Sequence, residues 1–464
     1  MEKTIRHTPI FAEDASEKVD KGGLCLEDHI NGLPDVVLVS ILSLLTMKEA
    51  ARTSVLSKKW RYLWTHITVL HFDAPHLIDG ILLEDKELKV ERLLYLSWVN
   101  QVLKSNNSPS VDEFRVHFDL DESCSLDIDN WVNFAIEKRV KRLELELSEI
   151  WRTSEGYSFP DTGYITSHLH SLSLGFTCWN SLTDLRLAHV NITGQVLEYF
   201  LSNCTFLEQL SVQNSDLLVN LKVPNTSLKL KRLEIIYCFD VENIEIFAMN
   251  LMSFKYFGPK INQPFKNVPW PVEMYIGGEY SKELLYNFLE FSSYLSQLES
   301  LTLDVTMMHL ISIHDFFIID EFPKFPVFHK LKQLKLKIDD SYDESLVIFT
   351  PLIEACPFLC KFVLELTWIG SNVHRKWQGV KFWPHQYLKE VEFIGFVGQM
   401  IDTELAMYLI KGAVKLEKIT FDSRNPSLIG TPWEFMETKR RKKARKRAEK
   451  FRTKLPAKVA LVIL

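Results

Sequence analysis

The sequence predicts an α/β chain: a short segment of three helices, then an irregular repeat solenoid built on a parallel sheet. Three observations carry this reading. Residues 28 to 64 form an amphipathic stretch too small to bury its own apolar side chains. One short pattern, apolar-x-x-apolar-x-apolar, returns from about residue 65 to 424. The chain has 464 residues, too many for one compact core, and only 17 glycines, too few for long flexible linkers.

Composition narrows the class. Apolar residues make up 46% and charged residues 25%, the balance of a folded protein. A net charge of −6 gives no global attraction to nucleic acid. The seven cysteines, at 25, 124, 178, 204, 238, 356 and 360, lack the spacing of a zinc site or a disulfide framework. Cys204 and Cys356, in joins between repeats, are expected to be small buried hydrophobes. Residues 1–24 are polar and mixed in charge, which suits a disordered tail without a signal peptide. No run reaches the roughly 18 apolar residues of a membrane helix. The expected location is the nucleus and/or the cytoplasm, so the sequons at Asn191, Asn203 and Asn225 are expected to stay unmodified.

The first helix should begin at Pro34, which is tolerated in a first turn, and carry Leu38, Ile41, Leu42 and Leu45 as a stripe. Thr46 and Glu49 have the spacing of a capping box, so a second helix should start there. Ser57 can cap a third helix holding Trp60, Leu63 and Trp64. Leu33, Pro34, Val37, Ile41, Val55, Leu56 and Trp60 exceed what so small a core needs. A partner surface, or a cap on the next domain, would use them.

This segment resembles an F-box. It supplies Leu33-Pro34, Leu38, Ile41-Leu42-Ser43 and Leu45, then Ala51, Ser54 to Lys58, Trp60 and Leu63-Trp64. It departs at Thr46, where that family usually has proline. The resemblance implies docking on a Skp-type adaptor, and through it a cullin, with Leu33, Pro34, Val37, Leu38, Ile41, Leu42, Val55, Leu56 and Trp60 as contacts. It also implies that Lys58, Lys59 and Arg61 lie on the wet side or meet acidic rim residues.

Clear repeat copies start at 111, 140, 182, 207, 230, 298, 331, 359, 388 and 416, with steps that include 25, 23, 28, 29 and 28. Such periods belong to leucine-rich repeats. Apolar-x-apolar suits a short strand with one buried face, and stacked copies make a parallel sheet. Between strands, "NITGQVLEYFLSNCTF" reads as a helix and a short return. Residues 255–297 fit poorly and read as a degenerate repeat with one atypical strand at Met274 to Ile276. If the alternation holds, Arg186, Ala188, Ser211 and Gln213 point away from the core and are candidates for holding a target. The end of the chain, with Leu388 to Val391, Gly395 to Gly398, Tyr408 to Ile410 and Leu416 to Lys418, resembles the FBD segment of plant F-box/leucine-rich-repeat proteins. The expected organisation is a tail (1–24), an F-box (25–66), a leucine-rich-repeat solenoid (67–350) and FBD-like repeats with a cap (351–464).

No phosphate-cradling glycine loop, metal-spaced histidine pair or nucleophile elbow is found. No enzyme activity, cofactor, metal or membrane partner is expected. The resemblance implies a substrate-recognition subunit of an SCF-type (Skp-cullin-F-box) ubiquitin ligase. Its rivals are an adaptor-bound scaffold without ubiquitination output, and a nuclear nucleic-acid-binding protein using the basic tail. That tail, residues 439–454, carries +10. Lys442, Lys443, Arg445 and Lys446 would serve an import signal or a nucleic-acid handle. Ala444, Ala448, Phe451 and Leu455 recur at helical spacing and instead favour a helix that caps the array, before a last strand in "KVALVIL".

Overall fold

The computed structural model describes residues 30–74, 85–147, 156–160, 179–225, 229–266, 268, 271–289, 297–306, 324–339, 346–367 and 382–464. Cys25, Cys178 and the tail 1–24 lie outside them. The chain divides into two compact units, Met1–Trp64 and Thr65–Leu464.

In the first unit, α1 (Asp35–Leu42) starts directly after Pro34, whose extended backbone makes it the N-cap. Thr46 opens α2 (Met47–Arg52) with the full capping box: Thr46 Oγ1 accepts from Glu49 N–H, and Glu49 accepts from Thr46 N–H at 3.0 Å. A 3₁₀ turn (Thr53–Val55) leads to α3 (Trp60–Leu63). Ser57 Oγ accepts from Trp60 N–H at 3.4 Å, but the N-cap position of α3 is Lys59, not the serine expected there. Leu38, Leu42, Met47, Ala50, Trp60 and Leu63 form the small interior.

The second unit is a parallel sheet. In chain order its strands are β1 (Val69–Asp73), β2 (Glu113–His117), β3 (Arg142–Glu146), β4 (Asp184–Ala188) and β5 (Gln209–Gln213). There follow β6 (Asn220–Val223), β7 (Arg232–Ile236), β8 (Asn243–Ile246), β9 (Ser253–Gly258), β10 (Glu273–Gly278) and β11 (Ser300–Asp304). The last are β12 (Gln333–Asp339), β13 (Lys361–Thr367), β14 (Glu390–Ile394), β15 (Lys418–Asp422) and β16 (Ala460–Ile463). Among the described residues, fourteen strands share one sheet in chain order, while β6 and β8 pair separately. All ten repeat copies are strands of the large sheet, and so is "ALVI" at the end.

The register explains the sequence pattern. Leu143, Leu185, Leu210 and Leu233 stand side by side, and Leu301, Leu334, Phe362 and Val391 continue the same buried row. A second buried row runs two residues later, because successive side chains on a strand alternate faces. The residue just before each strand supplies a shared acceptor. The Lys141 carbonyl takes N–H groups from Thr183 and Asp184, and the Lys332 carbonyl takes those of Cys360 and Lys361. Each repeat is thus tied to the previous one by backbone as well as by core.

Helices return the chain between strands: α4 (Asp85–Ser105), α5 (Ser125–Glu137), α6 (Gly194–Asn203), α7 (Glu279–Asn287), α8 (Thr350–Glu354), α9 (Met400–Gly412) and α10 (Lys439–Glu449). Thr193 caps α6 within the segment expected to be helical. The described residues between 255 and 289 hold the strand expected at Met274 to Ile276, as β10, but are more regular than a degenerate repeat. Here β9 and β10 pair in full register, and α7 follows. Aromatic residues in β9 hide the leucine pattern, since Phe254 and Tyr256 take the inward positions.

Candidate functional site

Two surfaces carry the residues expected to make contacts. On the first unit, α1 presents two stripes. Leu38 and Leu42 point inward, while Val37 and Ile41, also four apart, stay exposed. Val36, Leu44, Leu45, Val55, Leu56 and Tyr62 are exposed as well, Leu44 at 86% and Val55 at 83%. So many large apolar side chains on one short module mark an interaction surface.

Of the nine expected adaptor contacts, Val37, Ile41, Val55, Leu56 and Pro34 are exposed, and Leu33 is half-buried. Leu38, Leu42 and Trp60 are buried in the module itself and support the face from behind. Trp60 Nε1 donates to Asn31 Oδ1 at 2.7 Å, which fixes the loop ahead of α1. Lys59 is not a wet-side residue either: its ammonium donates to the carbonyls of Asn31 and Leu33 at 2.9 and 2.6 Å and lies 3.3 Å from Asp35. Lys58 and Arg61 are exposed as expected. Val36, Leu44 and Tyr62 belong to the exposed set and were absent from the sequence reading, which counted only residues in the stripe and the motif.

On the second unit, opposed charges pair from repeat to repeat, both just ahead of the strands and on the sheet face opposite the leucine rows. Lys141 pairs with Asp112 at 2.7 Å, Lys231 with Glu208 at 2.9 Å, Lys332 with Glu299 at 2.8 Å and Lys389 with Glu417 at 2.9 Å. These form a row at the strand starts. One step further along the strands, Arg186 pairs with Glu144 at 3.3 Å and Lys255 with Glu234 at 2.8 Å. A depression of about 180 Å³ lies here, lined among others by Arg142, Glu144, Asp184, Arg186, Ser211 and Glu234.

The four expected target-holding residues therefore separate. Arg186 is exposed and Ser211 lines the depression, although nearly covered. Ser211 is short, sits in register between Arg186 and Glu234, and donates to Glu234 at 3.3 Å. Gln213 is half-buried and bonds Ser211. Ala188 is buried, so it offers no side chain to a partner.

Further along the sheet, Asp304 is almost fully buried and gathers Tyr275 OH at 2.5 Å and the Lys337 ammonium at 2.8 Å. Burial alone would lower the Lys337 amine, but Asp304 and then Glu365 reverse this and raise it. Burial, reinforced by the Asp304 charge, also raises the Tyr275 phenol. Both groups hold their ordinary charge states near neutrality, which suits a fixed structural network better than proton transfer. Burial likewise pushes the thiols of Cys204 and Cys238 up to about 12, and raises that of Cys356. Thiols held protonated are poor nucleophiles. Among the described residues, no group of three or more His, Cys, Asp or Glu is placed to hold a metal, and no helix is long and apolar enough to cross a membrane.

In the basic tail, Ala444, Ala448 and Phe451 are buried and Leu455 is half-buried. Lys442, Lys443 and Lys446 are exposed, whereas Arg445 pairs with Glu437. The apolar spacing is buried, with Phe451 packed on Phe421 at 4.9 Å between ring centres, and β16 follows as the end strand of the sheet.

These geometries agree with known proteins. The model of the F-box domain matches residues 30–72. The model described as the At1g61320/AtMIF1 LRR domain matches residues 102–453. In Arabidopsis thaliana, F-box/FBD/LRR-repeat protein At4g00160 is 27% identical over 437 residues, covering 86% of this chain and 87% of the relative. F-box/LRR-repeat protein At3g03360 is 32% identical over 208 residues, 39% of this chain and 38% of the relative. The chain spans under two fifths of the length of this and two other such relatives, at 37%, 38% and 38%. The helical module with its apolar face and the parallel sheet in leucine-rich register are each matched, and the chain belongs to the leucine-rich-repeat family of the At1g61320/AtMIF1 domain, with an F-box preceding it in sequence.

Proposed function

We propose that this protein is a substrate-recognition subunit of an SCF-type ubiquitin ligase. The F-box face docks on a Skp-type adaptor and through it a cullin, while the repeat sheet holds a target protein. The assembly raises the effective concentration of the target's lysines at the conjugating enzyme. The chain itself makes no covalent bond in this scheme, and it works in the nucleus and/or the cytoplasm. Residues 351–464 act as an FBD-like continuation of the repeats. The charged depression around Arg186 is the proposed target face.

The observation that carries the reading is the exposed apolar set of Val37, Ile41, Val55 and Leu56 on a module that matches the F-box. Exposed contacts can be removed without touching the interior. Val55→Asp with Leu56→Asp should abolish co-purification of a Skp-type adaptor and leave the thermal melt within a degree or two of wild type. Truncating clustered contacts commonly costs about 2 kcal/mol or more each. Leu33→Ala with Pro34→Ala should weaken the same complex. Undiminished adaptor binding by both double variants would remove the proposal.

A further inference from the structure

The tail helix separates its two kinds of basic residue. Arg445 pairs with Glu437, Arg447 donates to the Val397 carbonyl at 3.0 Å, and Arg441 donates to the Met436 carbonyl at 3.1 Å. Arg452 pairs with Glu449 at 3.1 Å. Arg447 thus ties the helix to the turn ahead of α9, while the other three pairs are local, within residues 436–452. Lys439, Lys442, Lys443, Lys446 and Lys450 are all exposed, and among the described residues none of their ammonium groups makes a hydrogen bond or ion pair. At about 100° per residue, these five fall within roughly 100° of arc, opposite Ala444 and Ala448.

This arrangement works against the helix. Its first turn holds no acidic residue, so positive charge meets the positive end of the helix dipole. Like charges three and four apart add repulsion. The packing does not use the lysine row, because Ala444, Ala448 and Phe451 supply it, and of the row Lys446 alone stands in the last turn, where a cation suits the helix dipole. A local rule broken without structural return points to use by a partner.

We propose that the lysine row is a docking face for a short acidic segment of a partner protein. Lysine is a hydrated point charge without the fork that selects phosphate or planar carboxylate pairs, so the row suits a flexible run of carboxylates. From Lys439 to Lys450 the row is about 16 Å long. An extended chain of five or six residues covers that span, and acidic side chains on alternate positions repeat at about 7 Å, near the helix pitch. A long polyanion is a poorer fit: the rest of the chain carries −16 once the +10 of residues 439–454 is removed from −6. That charge repels a polymer running past the helix, whereas a short segment feels mainly charges within a screening length of about 8 Å. A linear import signal is also disfavoured, since the packed helix does not offer an extended strand. The inference does not depend on the ligase reading.

The test uses the full chain and fluorescein-labelled octaglutamate in anisotropy titrations at low and physiological salt. Replacing the five lysines by glutamine, a good helix former, should weaken binding by at least about tenfold. Replacing the ion-paired Lys141, Lys231, Lys332 and Lys389 by glutamine should leave it nearly unchanged. On wild type, carbodiimide cross-linking of the bound peptide should map to the five lysines, a readout that needs no variant to fold. Equal affinity of the five-lysine variant and wild type overturns the proposal, as do cross-links placed elsewhere. Labelled octathymidylate binding the same row tenfold more tightly than octaglutamate overturns it in favour of nucleic acid.

Discussion

Asp402 shows how a single buried group shapes this protein's behaviour. It stands near the start of α9, and its Oδ2 accepts from the N–H groups of Val397 and Gly398 at 2.7 and 2.8 Å. Its Oδ1 is buried without a hydrogen-bond partner. Gly398 has φ +68 and lies against Arg447, so no side chain fits there and the turn stays tight around the carboxylate. Burial pushes the Asp402 carboxyl up to about 7, against the pull of those N–H groups and of Arg447. In the unfolded chain an aspartate titrates near 3.9. Between those two values the native state binds more protons than the unfolded state, so stability falls as pH rises through the window. Wild type should therefore lose up to about 3 kcal/mol from this group between pH 5 and pH 8. Asp402→Asn keeps an acceptor for the two N–H groups and removes the titration. Urea midpoints for both proteins at the two pH values check this, and parallel pH profiles would count against it.

At the scale of elements, the tail helix is held by one aromatic residue more than by its many charges. Phe451 lies 4.9 Å from Phe421 and 6.3 Å from Phe396, which themselves stand 4.5 Å apart. Phe451→Ala should cost about 3–5 kcal/mol and release the helix, seen as a lower melting temperature and faster proteolysis after Thr438. Neutralising Lys442, Lys443 and Lys446 should change stability by less than about 0.5 kcal/mol. The packed side of the tail helix was legible because Ala444, Ala448, Phe451 and Leu455 keep helical spacing. The leucine copies were legible for a similar reason: a strand with one buried face writes its period into the sequence. β9 was not, because Phe254 and Tyr256 replace leucine and carry no repeat signature. β6 and β8 are four-residue strands, too short for a period to stand out. Ala188 was misjudged because alternation gives a side chain's direction, not the cover that neighbouring residues place over it. The F-box face was legible as an apolar surplus, but which apolar residues remain exposed depends on how α1 and α3 pack.

At the scale of the repeat unit, one register runs through the whole sheet. β12 and β13 pair over seven residues, from Gln333 opposite Lys361 to Asp339 opposite Thr367, so the sheet continues across residue 350 without a break. Leu334 stands in the buried row, with Leu301 on one side and Phe362 on the other. A carboxylate there is surrounded by apolar side chains and has no partner to offset its lost hydration. Because each repeat buries its core only against its neighbours, the damage spreads in both directions along the array. Leu334→Asp should therefore destabilise the unit by several kcal/mol, lowering the urea midpoint followed by tryptophan fluorescence. Gln333→Ala, one residue earlier and exposed, should cost less than about 1 kcal/mol. The pair tests the register itself, since a shift of one residue exchanges the two positions between faces. Equal midpoints for the two variants would mean that the leucine row does not form the core on which the repeats depend.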